Sequence, residues 1–256
     1  MGFVLLLVAH FIGDFILQTA AIAQKKTQSI RFFAIHCLIY AGIMLIALFN
    51  FASLNLTAVG AYVMIVGTHA VVDLLRIKIL KRSEKGLNHK KTDLIVFIAD
   101  QVVHLVIIFA AACLITESWM IWNDKVYHGL VYLLLYLICL SPTAILIKKV
   151  FVFFSFQTDT HSDSADKCIT DKNDDDKRKD ELISNGYLIG VLERIILLTL
   201  GLNGQMAAFG FVLAAKSLAR FKQLEDKDFA EKYLVGTLLS SAVSLFCIML
   251  GNAVLF

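Results

Sequence analysis

An apolar segment near the N-terminus contains the run Val8-Ala9-His10-Phe11-Ile12-Gly13-Asp14-Phe15-Ile16-Leu17-Gln18. Within this run, His10, Asp14 and Gln18 are spaced at i, i+4 and i+8. Residues four apart lie on the same face of an α-helix, so the three side chains form one polar stripe on an otherwise apolar rod. The run therefore predicts a helix that presents a polar face to something other than lipid.

The same spacing recurs in two later apolar segments. His69 and Asp73 are four residues apart in Gly67–Asp73, and Asp100 and His104 are four apart in the next segment. Ionisable side chains inside a membrane are costly, and they normally face a partner, a cavity or an ion. We therefore expect the function to reside where the three stripes meet.

The composition indicates an integral membrane protein. Of 256 residues, 58% are hydrophobic and only 18% are charged, whereas soluble domains contain about a quarter charged residues. A spanning helix needs roughly 20 mainly apolar residues, and the chain contains several such runs. The net charge of +3 is too small to indicate a nucleic-acid partner. We expect an all-α, polytopic transmembrane bundle whose immediate partner is the lipid bilayer.

The hydropathy pattern predicts eight spans, at about 3–23, 31–49, 57–80, 93–115, 127–153, 184–201, 205–221 and 232–255. Basic residues concentrate in alternate connections, which contain Lys25, Lys26, Arg31, Lys81, Arg82, Lys85, Lys90, Lys91, Lys148, Lys149, Lys222 and Lys227, whereas the other connections carry only Lys125. Because basic loops stay in the cytoplasm, this predicts a multi-pass protein of the cell (inner or cytoplasmic) membrane with both termini outside.

A charge-dense segment divides the chain into two predicted parts. Residues 1–154 form a five-span bundle, 155–182 an acidic, mobile cytoplasmic loop, and 183–256 a three-span part. The loop is nearly free of apolar residues and cannot bury a core, which is why we expect it to be mobile. In the last part, Gly186 and Gly190 form a GxxxG face, which is typical of close helix packing and is a candidate homodimer contact.

The predicted topology places seven polar residues at similar depth. They lie roughly 8–17 Å from the cytoplasmic ends of four helices, with the deepest slightly beyond that. These are His10, Asp14, His36, His69, Asp73, Asp100 and His104. Facing helices of a bundle commonly build metal sites in this way.

Imidazole and carboxylate ligands together suit a divalent transition metal, above all zinc, with manganese or iron as alternatives. Two arrangements are open. In one, a few residues bind a single metal and the aspartates orient the histidines. In the other, carboxylates bridge two metals about 3.5–4 Å apart. A proton or ion pathway and a purely structural polar network are further readings of the same residues.

The C-terminal part has its own charged residues within apolar segments. Glu193 and Arg194 fall near mid-membrane, and Lys216 and Arg220 lie near the end of the seventh span. One interpretation is a structural ion pair between Glu193 and Lys216, or between Arg194 and an acid of the first part. The other is an anion clamp, in which Arg194, Lys216 and Arg220 hold a phosphate, since the planar guanidinium suits that group.

The polar motifs resemble those of the bacterial membrane proteins grouped as domain of unknown function 3307. The similar motifs are Ala9-His10-x3-Asp14-x3-Gln18, His36, His69-x3-Asp73 and Asp100-Gln101-x2-His104. This resemblance covers about residues 3–110. The runs Gly190-x2-Glu193-Arg194 and Ala215-Lys216-Ser217-x2-Arg220-Phe221 resemble the C-terminal extension of longer members, over about 186–240. The family implies a membrane location. A looser similarity to bacterial membrane-bound metal-dependent hydrolases implies hydrolytic activity.

We therefore expect a membrane-embedded metalloenzyme, a hydrolase or transferase acting on a lipid or lipid-linked phosphate at the cytoplasmic leaflet. The four histidines and three aspartates would be ligands, with one of the catalytic candidates Asp14, Asp73 and Asp100 acting as general base. The residues expected to bind the anionic substrate are Arg194, Lys216, Arg220, Gln18 and Glu193. The alternatives are a proton- or divalent-ion-coupled transporter or channel that uses the same His and Asp residues, and a non-catalytic membrane partner whose acidic loop docks a soluble protein.

Overall fold

The computed structural model describes residues 2–51, 55–83, 89–115, 123–158 and 172–255, and these contain helices and turns but no strand. The helices in chain order are α1 (Gly2–Phe11), α2 (Ala20–Lys25), α3 (Ile30–Phe51), α4 (Leu56–Ser83), α5 (His89–Leu114), α6 (Asp124–Thr158), α7 (Lys172–Leu202), α8 (Met206–Ala219) and α9 (Lys227–Leu255). A π-helical turn, Ile12–Ile16, follows α1, and a 3₁₀ turn, Phe221–Glu225, precedes α9.

Five of the described helices are long and apolar enough to cross a membrane. Their apolar segments are Ile30–Leu48, Leu56–Ser83, His89–Leu114, Asp124–Phe153 and Lys227–Leu255. Many of their large apolar side chains face outward, where a bilayer would cover them. The all-α, multi-pass membrane class is confirmed. Two further apolar helices, Gly2–Ile16 and Met206–Ala219, are shorter than a typical span.

The predicted first span, about 3–23, is interrupted in the structure. The Leu17 N–H donates to the Ile12 carbonyl at 2.9 Å, an i to i+5 bond that widens the turn around Asp14. The chain then leaves the helix, and Thr19 begins α2 by accepting a hydrogen bond from the Ile22 N–H at 3.4 Å. Hydropathy could not reveal this break because the residues on both sides are apolar.

The predicted acidic loop, 155–182, also differs from the structure. Helix α6 continues to Thr158 and α7 already begins at Lys172, so the last part of this segment is helical. Residues 159–171 lie outside the described part of the chain, and the expected mobility of the loop stays a prediction. By its contacts the chain divides into units 1–137 and 138–256, with the boundary inside α6 rather than in the loop.

The first unit packs α1, α3, α4 and α5 around one apolar core. The fully buried members include Leu6, Tyr40, Met44, Leu48, Ile65, Ile108 and Ile115. On α4 the buried positions Ala58, Ala61, Ile65, His69 and Asp73 recur at intervals of three and four. The same helical face therefore carries apolar residues at one end and the predicted polar residues at the other.

Glycine at position 13 permits the close approach of the π-helical turn to α3. A Cβ atom added to Gly13 would lie 2.9 Å from Cδ2 of the fully buried Tyr40. We expect Gly13→Ala to lower the unfolding free energy in detergent by about 1–3 kcal/mol, as overpacking does in other cores. The matched control is Gly42→Ala on α3, where an added Cβ meets nothing within 4 Å. Equal thermal stability of the two variants would contradict the close packing.

The second unit contains the C-terminal half of α6 together with α7, α8 and α9. Helices α7 and α9 approach closely at Gly201, where an added Cβ would overlap the Ile248 side chain. At Gly186, in contrast, an added Cβ meets nothing within 4 Å in the described structure. At Gly190 an added Cβ would lie 3.3 Å from Nη1 of Arg194, so within the described residues only the Gly186 end of the GxxxG face is open, and the homodimer contact stays a prediction.

Candidate metal-binding site

The structure brings all seven predicted polar residues into one cluster in the first unit. Helix α1 supplies His10, the π-helical turn Asp14, α3 His36, and α4 and α5 the remaining pairs. Six of the seven are buried, with exposed fractions between 0% and 5%, and the Asp14 side chain is 9% exposed. The stripes meet because each lies on the face by which its helix packs against the others.

Four ligand atoms of the cluster, from Asp14, His36, His69 and Asp73, lie close together and form a four-atom centre. His36 Nε2 lies 3.3 Å from Asp14 Oδ1, 3.3 Å from Asp73 Oδ2 and 3.2 Å from His69 Nε2, and His69 Nε2 lies 3.6 Å from Asp14 Oδ1. Zinc binds such ligands at about 2.0–2.2 Å in tetrahedral geometry, which corresponds to ligand–ligand edges of roughly 3.3–3.6 Å. Four of the six distances among these atoms therefore match the edges of a tetrahedral metal site, whereas Asp14 and Asp73 belong to different groups of close ligand atoms.

Four of the seven ligand candidates have buried atoms without a hydrogen bond. These are His10 Nε2, Asp14 Oδ1, His36 Nδ1 and Asp100 Oδ1. A buried polar atom left without a partner costs about 1–3 kcal/mol. A cation bound beside Asp14 Oδ1 would satisfy that atom. The donor set and the unpaired carboxylate oxygen thus fit a transition metal.

His10 belongs to a second group of close ligand atoms. The ligand atoms of His10, Asp14 and His69 lie within 4.8 Å of one another, as do those of His36, His69 and Asp73. His10 Nδ1 also contacts the hydroxyl group of Tyr40 at 3.2 Å. His10 therefore lies beside the four-atom centre.

Asp100 and His104 lie outside these two groups. Asp100 Oδ2 accepts hydrogen bonds from Arg76 Nη1 at 3.3 Å and from Gln101 Nε2 at 3.1 Å, while its Oδ1 has no hydrogen-bond partner. The nearest His104 ring nitrogen, Nδ1, is 3.9 Å from Asp100 Oδ1. The i,i+4 spacing places both residues in the cluster, but the Asp100 carboxylate does not form a hydrogen bond with the His104 ring.

The residues of this site lie in the part of the chain that matches a protein family. Residues 3–130, half of the chain, match the family described as Protein of unknown function (DUF3307). The chain belongs to the DUF3307 family. No curated protein and no solved structure matches it. The matched segment contains α1 to α5 and the start of α6, so the whole His/Asp cluster lies within the DUF3307 region.

Sequence reasoning missed Lys26, which lies in the DUF3307 region and was assigned to a cytoplasmic loop. Lys26 Nζ donates to Asp73 Oδ2 at 2.7 Å, and its side chain is only 6% exposed. The Gln18 amide lies between the Asp14 carbonyl and Lys26 Nζ, at 2.9 Å from each. No sequence signal could have found Lys26, because its position depends on the break after the π-helical turn.

Tyr40 and Arg76 were also missed, although both continue a predicted stripe. Tyr40 comes four residues after His36, and its ring stacks on His69 with centroids 3.6 Å apart and planes 4° apart. Arg76 comes three residues after Asp73. Extending each stripe by one helical turn would have identified both residues.

The charged residues outside the DUF3307 match are engaged within the second unit. Glu193 and Lys216 form an ion pair, and Lys216 Nζ lies 5.4 Å from the centroid of the Tyr233 ring. Arg194 Nε donates to the Cys139 carbonyl at 2.6 Å. These contacts agree with the structural interpretation of Glu193 and Lys216. Arg220 follows α8 and is partly exposed, and its expected role in anion binding stays a prediction.

The Arg194 contact has a local cause in α6. Pro142 lacks the N–H that would bond the Ile138 carbonyl and disturbs the preceding turn. Thr143 Oγ1 donates to that carbonyl at 2.6 Å. Arg194 bonds the next two carbonyls, the second being that of Leu140 at 3.4 Å from Nη2. Arg194 therefore stabilises the helix at its proline, a role that accounts for a buried guanidinium without a bound anion.

Proposed function

We propose that this DUF3307 protein is a membrane-embedded, metal-dependent enzyme, a hydrolase or transferase that acts on a lipid or lipid-linked phosphate. The observation that carries the proposal is the set of four atoms from Asp14, His36, His69 and Asp73, in which four pairs lie 3.2–3.6 Å apart, the separation of neighbouring ligands in a zinc site. Manganese and iron accept the same donors. A bound metal would supply a Lewis acid for a phosphoryl or carbonyl oxygen.

The three predicted catalytic carboxylates have different roles in this proposal. Asp14 and Asp73 hold the metal, and Lys26 orients Asp73 through the 2.7 Å ion pair. Asp100 is held on one side by Arg76 and Gln101, which leaves Oδ1 free of hydrogen bonds. We assign Asp100 as the general base, because it alone is not needed as a ligand.

Two cations of the first unit would bind the anionic group of the substrate. Lys26 contacts the metal ligand Asp73, and Arg76, whose side chain is 22% exposed, pairs with Asp100. We choose them over Arg194 and Lys216 for this role because each contacts a carboxylate of the candidate site.

Lys26→Met tests the role of the cation. We expect KM for an anionic lipid to rise about 10–100-fold when the assay contains saturating metal, as loss of a hydrogen bond to a charged group predicts. Lys25→Met is the matched control, because Lys25 is exposed and lies over the Phe32 ring instead. Kinetics in mixed micelles measure both variants. An equal effect of the two substitutions would contradict the role of Lys26.

The enzyme proposal is tested by phosphate release from phosphatidic acid and from a polyprenyl diphosphate in mixed micelles. We expect turnover that a chelator abolishes and that zinc or manganese restores. Asp100→Asn should abolish turnover while leaving the metal in place. A metal-loaded protein that releases phosphate from neither substrate would contradict hydrolysis of lipid phosphates.

A second function has support from one observation. Imidazole nitrogens of His104, His69 and His36 form a chain with contacts of 2.8 Å and 3.2 Å, which is the kind of arrangement that proton pathways use. The corresponding activity is proton- or divalent-ion-coupled transport. Proteoliposomes distinguish the two functions, because only a transporter would move protons or metal ions across the bilayer without a lipid substrate.

We also propose eight crossings of the inner membrane, with both termini outside. Support comes from the alternation of basic loops and from the helix found at each predicted span, although the first and seventh are short. Labelling of cysteines introduced at each terminus with an impermeant reagent in intact cells tests this topology. Protection of both termini would contradict it.

A further inference from the structure

Both ring nitrogens of His104 are engaged by fixed partners. His104 Nδ1 lies 2.7 Å from the backbone carbonyl of Asp100, and Nε2 lies 2.8 Å from His69 Nδ1. The side chain is 3% exposed. No nitrogen of His104 is therefore left to point at the four-atom centre, even though its sequence spacing predicted a metal ligand.

The Asp100 carbonyl determines which nitrogen of His104 carries hydrogen. A carbonyl oxygen only accepts hydrogen bonds, so His104 Nδ1 must be the donor. In the neutral ring, Nε2 then has the free lone pair. The protonation of Nδ1 is thus set by the main chain and not by a side chain, because the carbonyl is the backbone group of Asp100, one helical turn earlier on α5.

The tautomer of His104 determines the tautomer of His69. Since His104 Nε2 accepts, His69 Nδ1 donates, and the lone pair of His69 is at Nε2. His69 Nε2 is the atom that lies 3.2 Å from His36 Nε2 and 3.6 Å from Asp14 Oδ1. The stacked ring of Tyr40 covers one face of His69 and holds its plane.

We propose that His104 is a positioning residue that fixes the tautomer of His69 and so presents the His69 Nε2 lone pair to the metal. The proposal rests on the metal site proposed above. Residues that donate or accept at the far nitrogen of a metal-binding histidine typically control its orientation and basicity. Here the support is another histidine, anchored to the main chain, rather than a carboxylate.

Two substitutions separate positioning from ligation. His104→Leu removes the acceptor for His69 Nδ1, and we expect zinc affinity to fall about 10–100-fold. His104→Gln places an amide oxygen near the position of Nε2, so it keeps the acceptor, and we expect affinity within a few-fold of the wild type. Competition with a chromophoric chelator measures both, after thermal unfolding has shown that each variant is folded. An equally severe loss in the two variants would overturn the proposal and indicate a ligand.

Nitrogen NMR of the metal-free protein gives a readout that does not need zinc. In protein labelled with ¹⁵N-histidine, His104 and His69 should both show a protonated Nδ1 and an unprotonated Nε2. The His69 signals should keep this pattern in His104→Gln and lose it in His104→Leu. Protonation of Nε2 on either ring in the wild type would overturn the proposal. If no metal binds but the tautomers are as expected, the proposed enzyme fails while the coupling of the two rings stands.

Discussion

Protein purified in detergent is expected to contain about one zinc, manganese or iron atom per chain, and His69→Ala is expected to contain almost none. His69 Nε2 is one of the proposed ligand atoms, and it lies 3.2 Å from His36 Nε2 and 3.6 Å from Asp14 Oδ1. Loss of a supporting residue near a metal lowers affinity about 10–100-fold, so loss of this ligand should exceed about 100-fold. Elemental analysis by mass spectrometry measures the stoichiometry.

The control is His128→Ala, which removes a histidine on α6 whose ring lies beside Tyr127. It should retain the wild-type metal content. The double variant His69→Ala/Asp73→Ala should be metal-free, and thermal unfolding checks that it is folded, because the change leaves the buried Lys26 without its carboxylate partner. Wild-type protein that takes up no metal after reconstitution would contradict the site. Proton flux in proteoliposomes would then be the next measurement.

The second large effect is expected at the Glu193–Lys216 ion pair. Lys216→Met leaves the Glu193 carboxylate, which is 5% exposed, without its cation. Breaking one side of a buried pair costs about 3–5 kcal/mol. We expect the lower end of that range, because the Lys216 side chain is 20% exposed and solvent partly screens it. Unfolding in mixed detergent measures the change in free energy.

A double-variant cycle identifies the pair as the cause. Glu193→Gln/Lys216→Met removes both charges, and we expect it to recover most of the stability lost in Lys216→Met. Lys222→Met, in the exposed 3₁₀ turn, is the matched control and should change stability by less than about 0.5 kcal/mol. Additive losses in the double variant would show that the two side chains act independently. The anion clamp would then regain support.

The fold class and the members of the cluster could be predicted from sequence because both follow from local periodicity. Apolar runs of span length predict membrane helices whatever their neighbours are. The His69–Asp73 and Asp100–His104 spacings place each pair on one helical face. In the structure, all four residues are buried. Three predicted spans, 31–49, 57–80 and 205–221, agree to within three residues with the helices Ile30–Phe51, Leu56–Ser83 and Met206–Ala219.

Local periodicity did not predict the structure of the first segment or the contacts of the charged residues in the C-terminal part. The break after the π-helical turn lies between apolar residues and leaves no trace in hydropathy. This break nevertheless places Lys26, which was predicted to lie in a loop, next to Asp73. The structure places the Arg194 guanidinium beside the carbonyls of Cys139 and Leu140 on another helix, a contact that the sequence does not reveal, and the anion role of Arg194 stays a prediction.

By itself, the sequence determined a helical membrane protein with seven ionisable residues turned away from lipid, because side-chain spacing along one helix is a local property. Only the tertiary structure decided which atoms meet. The π-helical turn after α1 and helices α3 and α4 had to be brought together before ligand atoms of Asp14, His36, His69 and Asp73 could lie 3.2–3.6 Å apart in four pairs. The same packing set His104 against the Asp100 carbonyl and His69, since hydrogen-bond partners depend on distances between helices that no single helix encodes.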